Sequence, residues 1–368
     1  MSVKPIVLMQ PYVPESAKQA VMDVLNSRFI GQGPKVDEFE REFSQLMYGR
    51  PSVAVNSCTS ALHLAFLLAG IQPGDTVLAP LFTCTAANEA LLYCGAKIRF
   101  CDVAPNSLNM DPESVGKQLD GVKAISVVHY GGMPADMAGI GRKTPVSIPV
   151  IEDCAQALGG TYRNSRVPLG VWASYACYSF QAVKTVTTGD GGMLTLSPWP
   201  GDTEAAKAKR MRWFGIDRAA KLNGTWANDI TELGYKYQMT DISAAMGLEG
   251  LKTLDWQVEH RRILRGAYAC GLTNVDGIRL LDDDPQSACW LCTVLVDRRE
   301  EFRRALKAEG IESDQVHYRN DRYSIFKEFK GEFPNMDAID QKYLCLPLHM
   351  GMTIEDVERI CEVVRRGW

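Results

Sequence analysis

The sequence predicts an α/β protein with a mostly parallel sheet and a smaller α+β unit toward the C-terminus. Short runs rich in Val, Ile, Phe and Tyr alternate with segments of helical periodicity through the first two thirds of the chain. These runs are apolar at nearly every residue, which is typical of strands buried on both faces of a sheet. Beyond Thr240 the alternation gives way to a long helical segment.

The first part of the chain predicts six strands joined by helices, because each apolar run is bounded by turn residues and followed by apolar residues at helical spacing. The predicted helices include residues 60–69, 86–94 and 112–119. The predicted strands are residues 53–55, 76–80, 98–103, 124–130, 149–153 and 174–180.

One helix of unusual length is predicted after Thr240, which can cap it. Apolar residues recur at helical spacing through Leu264, and no proline occurs until Pro285. We expect this helix to carry the chain from a large α/β domain, residues 1–245, to a small α+β domain, residues 246–368. The small domain is predicted to contain a strand at 289–296 and helices at 299–309 and 354–366.

The composition argues against several classes of protein. The 368 residues carry 40 Lys and Arg against 44 Asp and Glu, a formal net charge of −4, so we expect no binding of nucleic acid or of an anionic membrane surface. No apolar run reaches the ~18 residues of a membrane span, and the N-terminus lacks the pattern of a signal peptide. The 11 cysteines are an odd number scattered through strands and helices, which indicates reduced thiols. We therefore expect a cytoplasmic enzyme.

Two candidate sites lie at strand ends, where open α/β sheets bind their ligands. Residues 56–60 read Asn-Ser-Cys-Thr-Ser between a strand and a helix, so backbone N–H groups there suit a phosphate. A simple helix cap without a ligand explains the same spacing. Glu152 and Asp153 end another strand, where a buried carboxylate requires a cationic partner. Capping of the next helix is the alternative.

Two lysines are further candidates. Lys184 follows an apolar strand and precedes a glycine-rich turn, and a lysine in a desolvated cleft becomes a usable amine nucleophile. The alternative is a solvated surface lysine. Lys236 lies between Tyr235 and Tyr237 just before the long helix, where its amine could bind an anion. The alternative is that this segment only leads into the helix and forms a hydrophobic staple with it.

Several other motifs carry no function in our interpretation. Cys289 and Cys292 have zinc or redox spacing, but an offset of three in a strand would put the two sulfurs on opposite faces, and no second pair is near. Residues 31–34 lack the third glycine of a dinucleotide fingerprint. The acidic run 282–284 is expected to be a solvated loop, and the five histidines form no local cluster, so no metal is predicted.

Four segments, taken in order along the chain, are similar to those of a known family. They begin at Glu152 (EDCAQALGGTY), Ser179 (SFQAVKTVTTGDGG), Gly234 (GYKYQMTDISAAMGL) and Leu346 (LPLHMGMTIEDVERI). From about Gly31 to its end, the chain resembles the DegT/DnrJ/EryC1/StrS family of sugar aminotransferases, which use pyridoxal 5′-phosphate (PLP). The resemblance implies a fold type I aminotransferase, whose large domain holds a mostly parallel mixed sheet, and a homodimer with shared active sites.

The resemblance also implies a role for each matching residue. Lys184 matches the lysine that forms a Schiff base with PLP and moves the proton. Asp153 matches the carboxylate that faces the pyridine nitrogen, and Gln156 matches the residue beside the 3-hydroxyl of the ring. Ser179 matches a hydroxyl that binds the phosphate. The remaining phosphate residues are those of the helix N-terminus described above, Ser57, Cys58, Thr59 and Ser60.

The chain departs from the family pattern at three positions. Cys58 stands where glycine is common. Cys84 stands where an aromatic residue often stacks on the PLP ring, so either the stacking face is smaller or another residue supplies it. Lys236 stands where asparagine often reaches the phosphate of the other subunit's cofactor, and a lysine brings a full charge to that role. Lys184 itself argues against relatives that carry histidine there and act as sugar dehydratases.

The family resemblance implies a transamination from L-glutamate, which leaves as 2-oxoglutarate, to a nucleotide-linked keto-sugar. The stretch from Lys184 to Gly192 is most similar to members that act on 4-keto-6-deoxy sugars, which supply amino sugars for surface polysaccharides or glycoconjugates. A 3-keto-sugar aminotransferase, a PLP-dependent sugar dehydratase and a non-catalytic regulatory homologue are the alternatives. The residues expected to bind substrate are His317, Tyr318 and Arg319, with Arg210, Arg212, Arg218 and Arg322 as further cationic candidates for its diphosphate.

Overall fold

The computed structural model of the protein describes residues 4–198, 202–225, 229–281 and 284–368. Strands within these ranges alternate with helices along most of the chain. The strands are β1 (Ser52–Val55), β2 (Thr76–Pro80), β3 (Phe82–Thr83), β4 (Lys97–Cys101), β5 (Val122–Val128), β6 (Val150–Asp153), β7 (Tyr175–Ser179), β8 (Gly192–Leu196), β9 (Ile278–Leu280), β10 (Cys292–Val296), β11 (Tyr318–Arg319) and β12 (Tyr343–Leu346).

Seven of these strands form the central sheet, in the order β1-β8-β7-β6-β5-β2-β4. Strands β4, β2, β5, β6 and β7 pair in parallel, and β8 pairs antiparallel with both β7 and β1. The sheet is therefore mostly parallel and mixed, as expected. Nearly every strand residue is buried, because helices cover both faces.

The helices supply those covering layers. They are α1 (Ser16–Leu25), α2 (Pro34–Leu46), α3 (Cys58–Leu68), α4 (Thr85–Tyr93), α5 (Pro112–Gly116), α6 (Met137–Lys143), α7 (Asp202–Met211), α8 (Arg218–Leu222), α9 (Asp241–Leu251), α10 (Leu254–Gly271), α11 (Arg299–Ala308), α12 (Pro334–Ile339) and α13 (Ile354–Arg365). Helix α3 is apolar nearly all round and buried, whereas α2 buries one stripe that includes Phe39 and Phe43 against Phe180.

The long helix predicted after Thr240 is two helices, α9 and α10. The break falls at Lys252 and Thr253. The Thr253 hydroxyl donates to the Gly250 carbonyl at 3.1 Å, and such a local bond competes with continuation of the helix. Gly250 also packs against Val186 so closely that a Cβ would lie 2.6 Å from its methyl carbon, which holds the end of α9 against the segment between β7 and β8.

The C-terminal part builds its own core around the antiparallel sheet β12-β10-β9 and helices α10, α11 and α13. Ile6, near the N-terminus, also packs in this core. The predicted strand at 289–296 begins only at Cys292, and Cys289 before it has a left-handed φ of 49°. The inference that the two sulfurs lie on opposite faces of a strand is therefore wrong, because both cysteines are buried in the same apolar core. Asp282 and Asp283 of the acidic run lie outside the described residues.

A two-stranded sheet connects the C-terminal part to the large sheet. Strand β11 pairs antiparallel with β3, which directly follows β2, so Tyr318 lies opposite Thr83. Asn320 fixes this contact: its fully buried amide donates to the Thr83 carbonyl at 2.9 Å and accepts from the Asn88 amide at 2.8 Å.

Among the helices within the described ranges, none is both long enough and apolar enough to cross a bilayer.

Candidate active site

The candidate residues converge at one edge of the central sheet. Asp153 is the last residue of β6 and Ser179 the last of β7, and both strands run parallel, so their carboxyl ends meet. Gly192, at the start of β8, pairs with Ser179 on one side and with Val55 on the other. The start of α3, which follows Val55, is thereby brought beside Ser179. This is the position at which open α/β sheets bind ligands.

Asp153 is a buried carboxylate for which the described part of the chain supplies no cationic partner. Its Oδ1 accepts the backbone N–H of Ala155 at 2.9 Å, and the Cys58 sulfur lies 4.0 Å from the same oxygen. Burial raises the pKa of Asp153, and Ala155, Lys184 and His129 act against that rise. No Lys, Arg or His nitrogen of the described residues lies within 4.0 Å of it. A carboxylate in this state suits a ligand that brings its own positive charge.

Lys184 is near Asp153 but does not form an ion pair with it. Burial lowers the pKa of the Lys184 amine, while Cys84, Asp153 and Cys58 favour its charged form. The amine instead lies over the ring of Trp290, 3.7 Å from its centroid. A desolvated amine whose pKa is lowered suits the role of a nucleophile.

The start of α3 forms an anion cradle. Ser57 caps the helix by accepting the Ser60 N–H at 3.1 Å, and the Ser60 hydroxyl donates to Asn56 at 2.7 Å. The first-turn N–H groups of Cys58 and Thr59 have no acceptor one turn earlier in the helix, so they suit a phosphate. A Cβ on Gly192 would lie 2.5 Å from the Ser57 carbonyl, so only glycine permits this approach of strand and helix.

Gln156 and Ser179 have one polar atom each available for a ligand. The Gln156 Oε1 accepts the Gly131 N–H at 2.6 Å, which fixes the amide so that its Nε2 is the free end. The Ser179 hydroxyl accepts the Gln181 N–H at 3.3 Å and keeps its own hydrogen to donate. Both residues are buried.

The segment around Lys236 runs alongside the anion cradle of its own chain. The Asn56 N–H donates to the Tyr237 carbonyl at 2.7 Å, and the Asn56 amide donates to the Lys236 carbonyl at 3.1 Å. The Lys236 side chain is exposed, and its amine lies 5.5 Å from the ring centroid of Phe214.

The segment with His317, Tyr318 and Arg319 reaches the site through the β3–β11 pairing. The His317 ring stacks on Trp290 with centroids 6.2 Å apart, and burial lowers its pKa to about 3, so the imidazole is neutral. The His317 Nε2 is buried and has no hydrogen-bond partner among the described residues. Cys84 lies at the start of α4, directly after β3, and is partly exposed.

The candidate cations differ in whether their charge is available. Arg319 pairs with Asp321 and Asp337, and Arg210 pairs with Glu232. Arg212 is 3% exposed and pairs with Glu40 inside the protein, so it presents no charge to a substrate entrance. Arg218 donates to the Gln32 carbonyl at 2.6 Å. Arg322 is exposed, and its guanidinium carbon lies 4.4 Å from the Tyr318 ring centroid.

Sequence reasoning missed Trp290 and a buried network behind Asp153. Trp290 lies in the predicted strand at 289–296, just before β10, and a single aromatic residue in an apolar run gives no signal of a functional site. In the network, the Glu152 carboxylate bonds the His129 Nε2 at 2.6 Å, the Tyr162 hydroxyl at 2.7 Å and the Gly170 N–H at 3.0 Å. One ligand atom each of His129, Glu152 and Cys154 lies within 4.8 Å of the others, a spacing that suits a metal. The His129 Nδ1, however, already accepts the Ala135 N–H at 3.0 Å, so hydrogen bonds explain the arrangement.

The geometry defines a class of protein before any comparison. A half-buried lysine, a buried carboxylate near it and a helix N-terminus for a phosphate lie at the carboxyl edge of a mixed α/β sheet. These are the parts that hold PLP in an aminotransferase: a group for its aldehyde, a group for its ring nitrogen and a cradle for its phosphate.

Residues 11–365 match the model of the DegT/DnrJ/EryC1/StrS aminotransferase family. The chain belongs to this family, which confirms the resemblance, and it is a PLP-dependent aminotransferase.

Curated relatives match nearly the full chain. The spore coat polysaccharide biosynthesis protein SpsC of Bacillus subtilis (strain 168) is 33% identical over 375 residues, 96% of this chain and 95% of the relative. The UDP-4-amino-4,6-dideoxy-N-acetyl-beta-L-altrosamine transaminase of Campylobacter jejuni subsp. jejuni serotype O:2 is 30% identical over 97% of each chain. The GDP-perosamine synthase of Escherichia coli O157:H7 is 29% identical over 98% of each.

Solved structures show the same fold. AtS13 from Actinomadura melliaura superposes with a TM-score of 0.91 at 37% identity over 100% of both chains. The PLP-form of the putative sugar aminotransferase Spr1654 from Streptococcus pneumoniae superposes with a TM-score of 0.90 at 27% identity, covering 99% of this chain and 98% of that one. The predicted fold type I architecture is thus confirmed.

Proposed function

We propose that this chain transfers the amino group of L-glutamate to the 4-keto group of a nucleotide-linked 4-keto-6-deoxy sugar, and that the amino sugar enters a surface polysaccharide or glycoconjugate. The observation that carries the proposal is the proximity of two unlike groups, the amine of half-buried Lys184 and the buried Asp153 carboxylate, which do not form an ion pair. The relative from Campylobacter jejuni supports the substrate class, since it is a transaminase of a 4-amino-4,6-dideoxy sugar on UDP.

PLP, when bound, supplies an aldehyde for amine exchange and a ring that withdraws electrons from the reacting carbon. Lys184 would hold the aldehyde and then move a proton at its Nζ. Asp153 would face the ring nitrogen, where the proton of a cationic ring offsets the cost of burying this carboxylate. The Gln156 amide would donate to a ring oxygen, because its Oε1 already accepts the Gly131 N–H. Ser179 and the α3 N-terminus (Ser57, Cys58, Thr59 and Ser60) would bind the phosphate.

The substrate would enter between the PLP site and the β11 segment. His317 and Tyr318 line this side, and His317 is held neutral, so it suits a sugar hydroxyl better than a phosphate. Arg319 would act mainly by fixing the segment, because two carboxylates already share its charge. Cys84 leaves space where an aromatic ring is common in the family.

We further propose that the enzyme works in the cytoplasm as a homodimer with shared active sites. Phe214 and Leu233 are exposed apolar residues, 47% and 74% accessible, and Phe214 contacts Lys236. Burying this surface against a second copy would place the Lys236 amine near the partner's phosphate cradle. A shared site of this kind is the role that the family resemblance implies for position 236.

The test is an assay of the purified enzyme with L-glutamate and a panel of UDP-, GDP- and dTDP-linked 4-keto-6-deoxy sugars. We expect an amino sugar and 2-oxoglutarate in equal amounts from one nucleotide series. Lys184→Ala should abolish both products, while Lys252→Ala, which removes an exposed lysine on the surface, should not. Loss of water from the sugar without incorporation of nitrogen would refute the proposal in favour of a dehydratase.

A further inference from the structure

Trp290 is fixed against the residue that precedes Lys184. The indole Nε1–H donates to the Val183 carbonyl at 2.9 Å, and the side chain is only 4% exposed. The backbone on either side of Trp290 is bonded to the turn after β5: the Ala288 N–H donates to the Gly132 carbonyl and the Leu291 N–H to the Gly131 carbonyl, each at 3.0 Å. The ring is therefore held both by its own nitrogen and by its main chain.

The Lys184 amine lies on the face of this ring. Its Nζ is 3.7 Å from the ring centroid, and indole is the aromatic side chain that attracts a cation most strongly. The indole also stacks with His317 at an interplanar angle of 22°. The lysine side chain is long and flexible, so a fixed aromatic face restricts where its amine rests.

The other groups around the amine do not define its position. Asp153 at the end of β6, Cys58 at the start of α3 and Cys84 at the start of α4 favour its charged form, and neutral His317 faces it from the segment before β11. No carboxylate of the described residues lies within 4.0 Å of the amine. The indole face, 3.7 Å from the amine, is the directional contact.

We propose that Trp290 is a positioning residue: its indole face is where the Lys184 amine rests whenever that amine is not bonded to the cofactor. The inference rests on the proposed function for its consequence, because a donor amine must displace Lys184, which then has to remain within reach of the same carbon to move a proton. Held on Trp290, the amine neither leaves the site nor forms an ion pair with the carboxylate meant for the ring nitrogen.

The direct test measures the Lys184 amine in the full-length, cofactor-free protein. Competitive labelling with acetic anhydride across pH, read by mass spectrometry of the peptide that contains Lys184, reports the pKa of this amine. Trp290→Leu removes the aromatic face, and we expect the pKa to fall by about one unit. Trp290→Phe keeps an aromatic face and should retain most of the wild-type value. Trp256→Leu, on the exposed side of α10 and 53% accessible, is the matched control and should change nothing.

A second readout follows the half-reaction of the PLP-loaded enzyme with L-glutamate. Trp290→Leu should lower the limiting rate constant of this half-reaction about tenfold with little change in the apparent Kd for L-glutamate, and Trp290→Phe should restore most of the rate. Equal labelling curves for wild type and Trp290→Leu, or an equal loss in the Leu and Phe variants, would overturn the proposal. Failure of the wild type to transaminate any sugar would instead contradict the proposed function, and the labelling comparison would still decide the role of Trp290.

Discussion

Replacing Gly192 by alanine should weaken PLP binding, because Gly192 sets the distance between β8 and the anion cradle. A Cβ there would lie 2.5 Å from the Ser57 carbonyl and 2.6 Å from the Cys58 nitrogen. Both are backbone atoms, so no side-chain rotation relieves the contact. Ordinary van der Waals contact begins at 3.4 Å, and strand and helix would have to separate by about 0.9 Å.

Overpacking of this size costs about 1–3 kcal/mol of folding free energy. The displaced helix start would also move the Cys58 and Thr59 N–H groups away from Ser179, so the phosphate would lose its convergent donors. We expect the Kd for PLP to rise at least about tenfold, which is 1.4 kcal/mol. The assay is titration of the cofactor-free protein with PLP by absorbance, with thermal unfolding measured in parallel.

Gly141→Ala is the matched control for Gly192→Ala. A Cβ at Gly141 meets nothing within 4 Å, and the residue lies in α6 away from the cradle. This variant should bind PLP as the wild type does. An unchanged Kd for Gly192→Ala, together with a lowered unfolding temperature, would refute the assignment of the α3 N-terminus as the phosphate site, because the helix start would have moved without affecting the cofactor.

Three further predictions concern stability. Burial acts to raise the pKa of Glu40, but Arg212 and Lys209 outweigh it and hold the pKa below 4.5. The stabilisation by ionised Glu40 is therefore present above that pH and is lost as the pH falls through the lowered value. Urea unfolding should show that the free energy of unfolding falls more steeply with acid in the wild type than in Glu40→Gln. Asn320→Ala leaves the buried Asn88 amide and the Thr83 carbonyl without this partner and should cost about 1–3 kcal/mol by the same measurement, and a loss under 0.5 kcal/mol would contradict the role of Asn320 in fixing β11. Glu152→Gln replaces a fully buried carboxylate that accepts several donors and should lower the unfolding temperature without preventing PLP binding; an unchanged melting curve would contradict this.

The parts of the fold that depend on local pattern were predictable from the sequence. Strand β2 begins and ends at the predicted residues, and the ends of β6 and β7 fall within one residue of those predicted. Because strand ends carry the ligands in an open α/β sheet, Asp153 could be placed at the site edge from its position alone. Knowledge that the cofactor is PLP came from the family resemblance and not from spacing.

The contacts between distant segments were not predictable. The Trp290 ring bonds the Val183 carbonyl across 107 residues, and Asn320 bonds Thr83 across 237 residues. No local periodicity encodes such pairs, because they arise when the C-terminal part packs against the large sheet. The break between α9 and α10 was missed for a related reason: one Thr253 hydroxyl bond and the packing of Gly250 on Val186 outweigh a continuous helical pattern.

The measurement that tests the central claim most directly is borohydride reduction of the PLP-loaded wild-type protein, followed by digestion and mass spectrometry. The account predicts that the reduced phosphopyridoxyl group is attached to the peptide that contains Lys184, with no such label in Lys184→Ala. Attachment to a different lysine, or full labelling that persists in the Ala variant, would contradict the account.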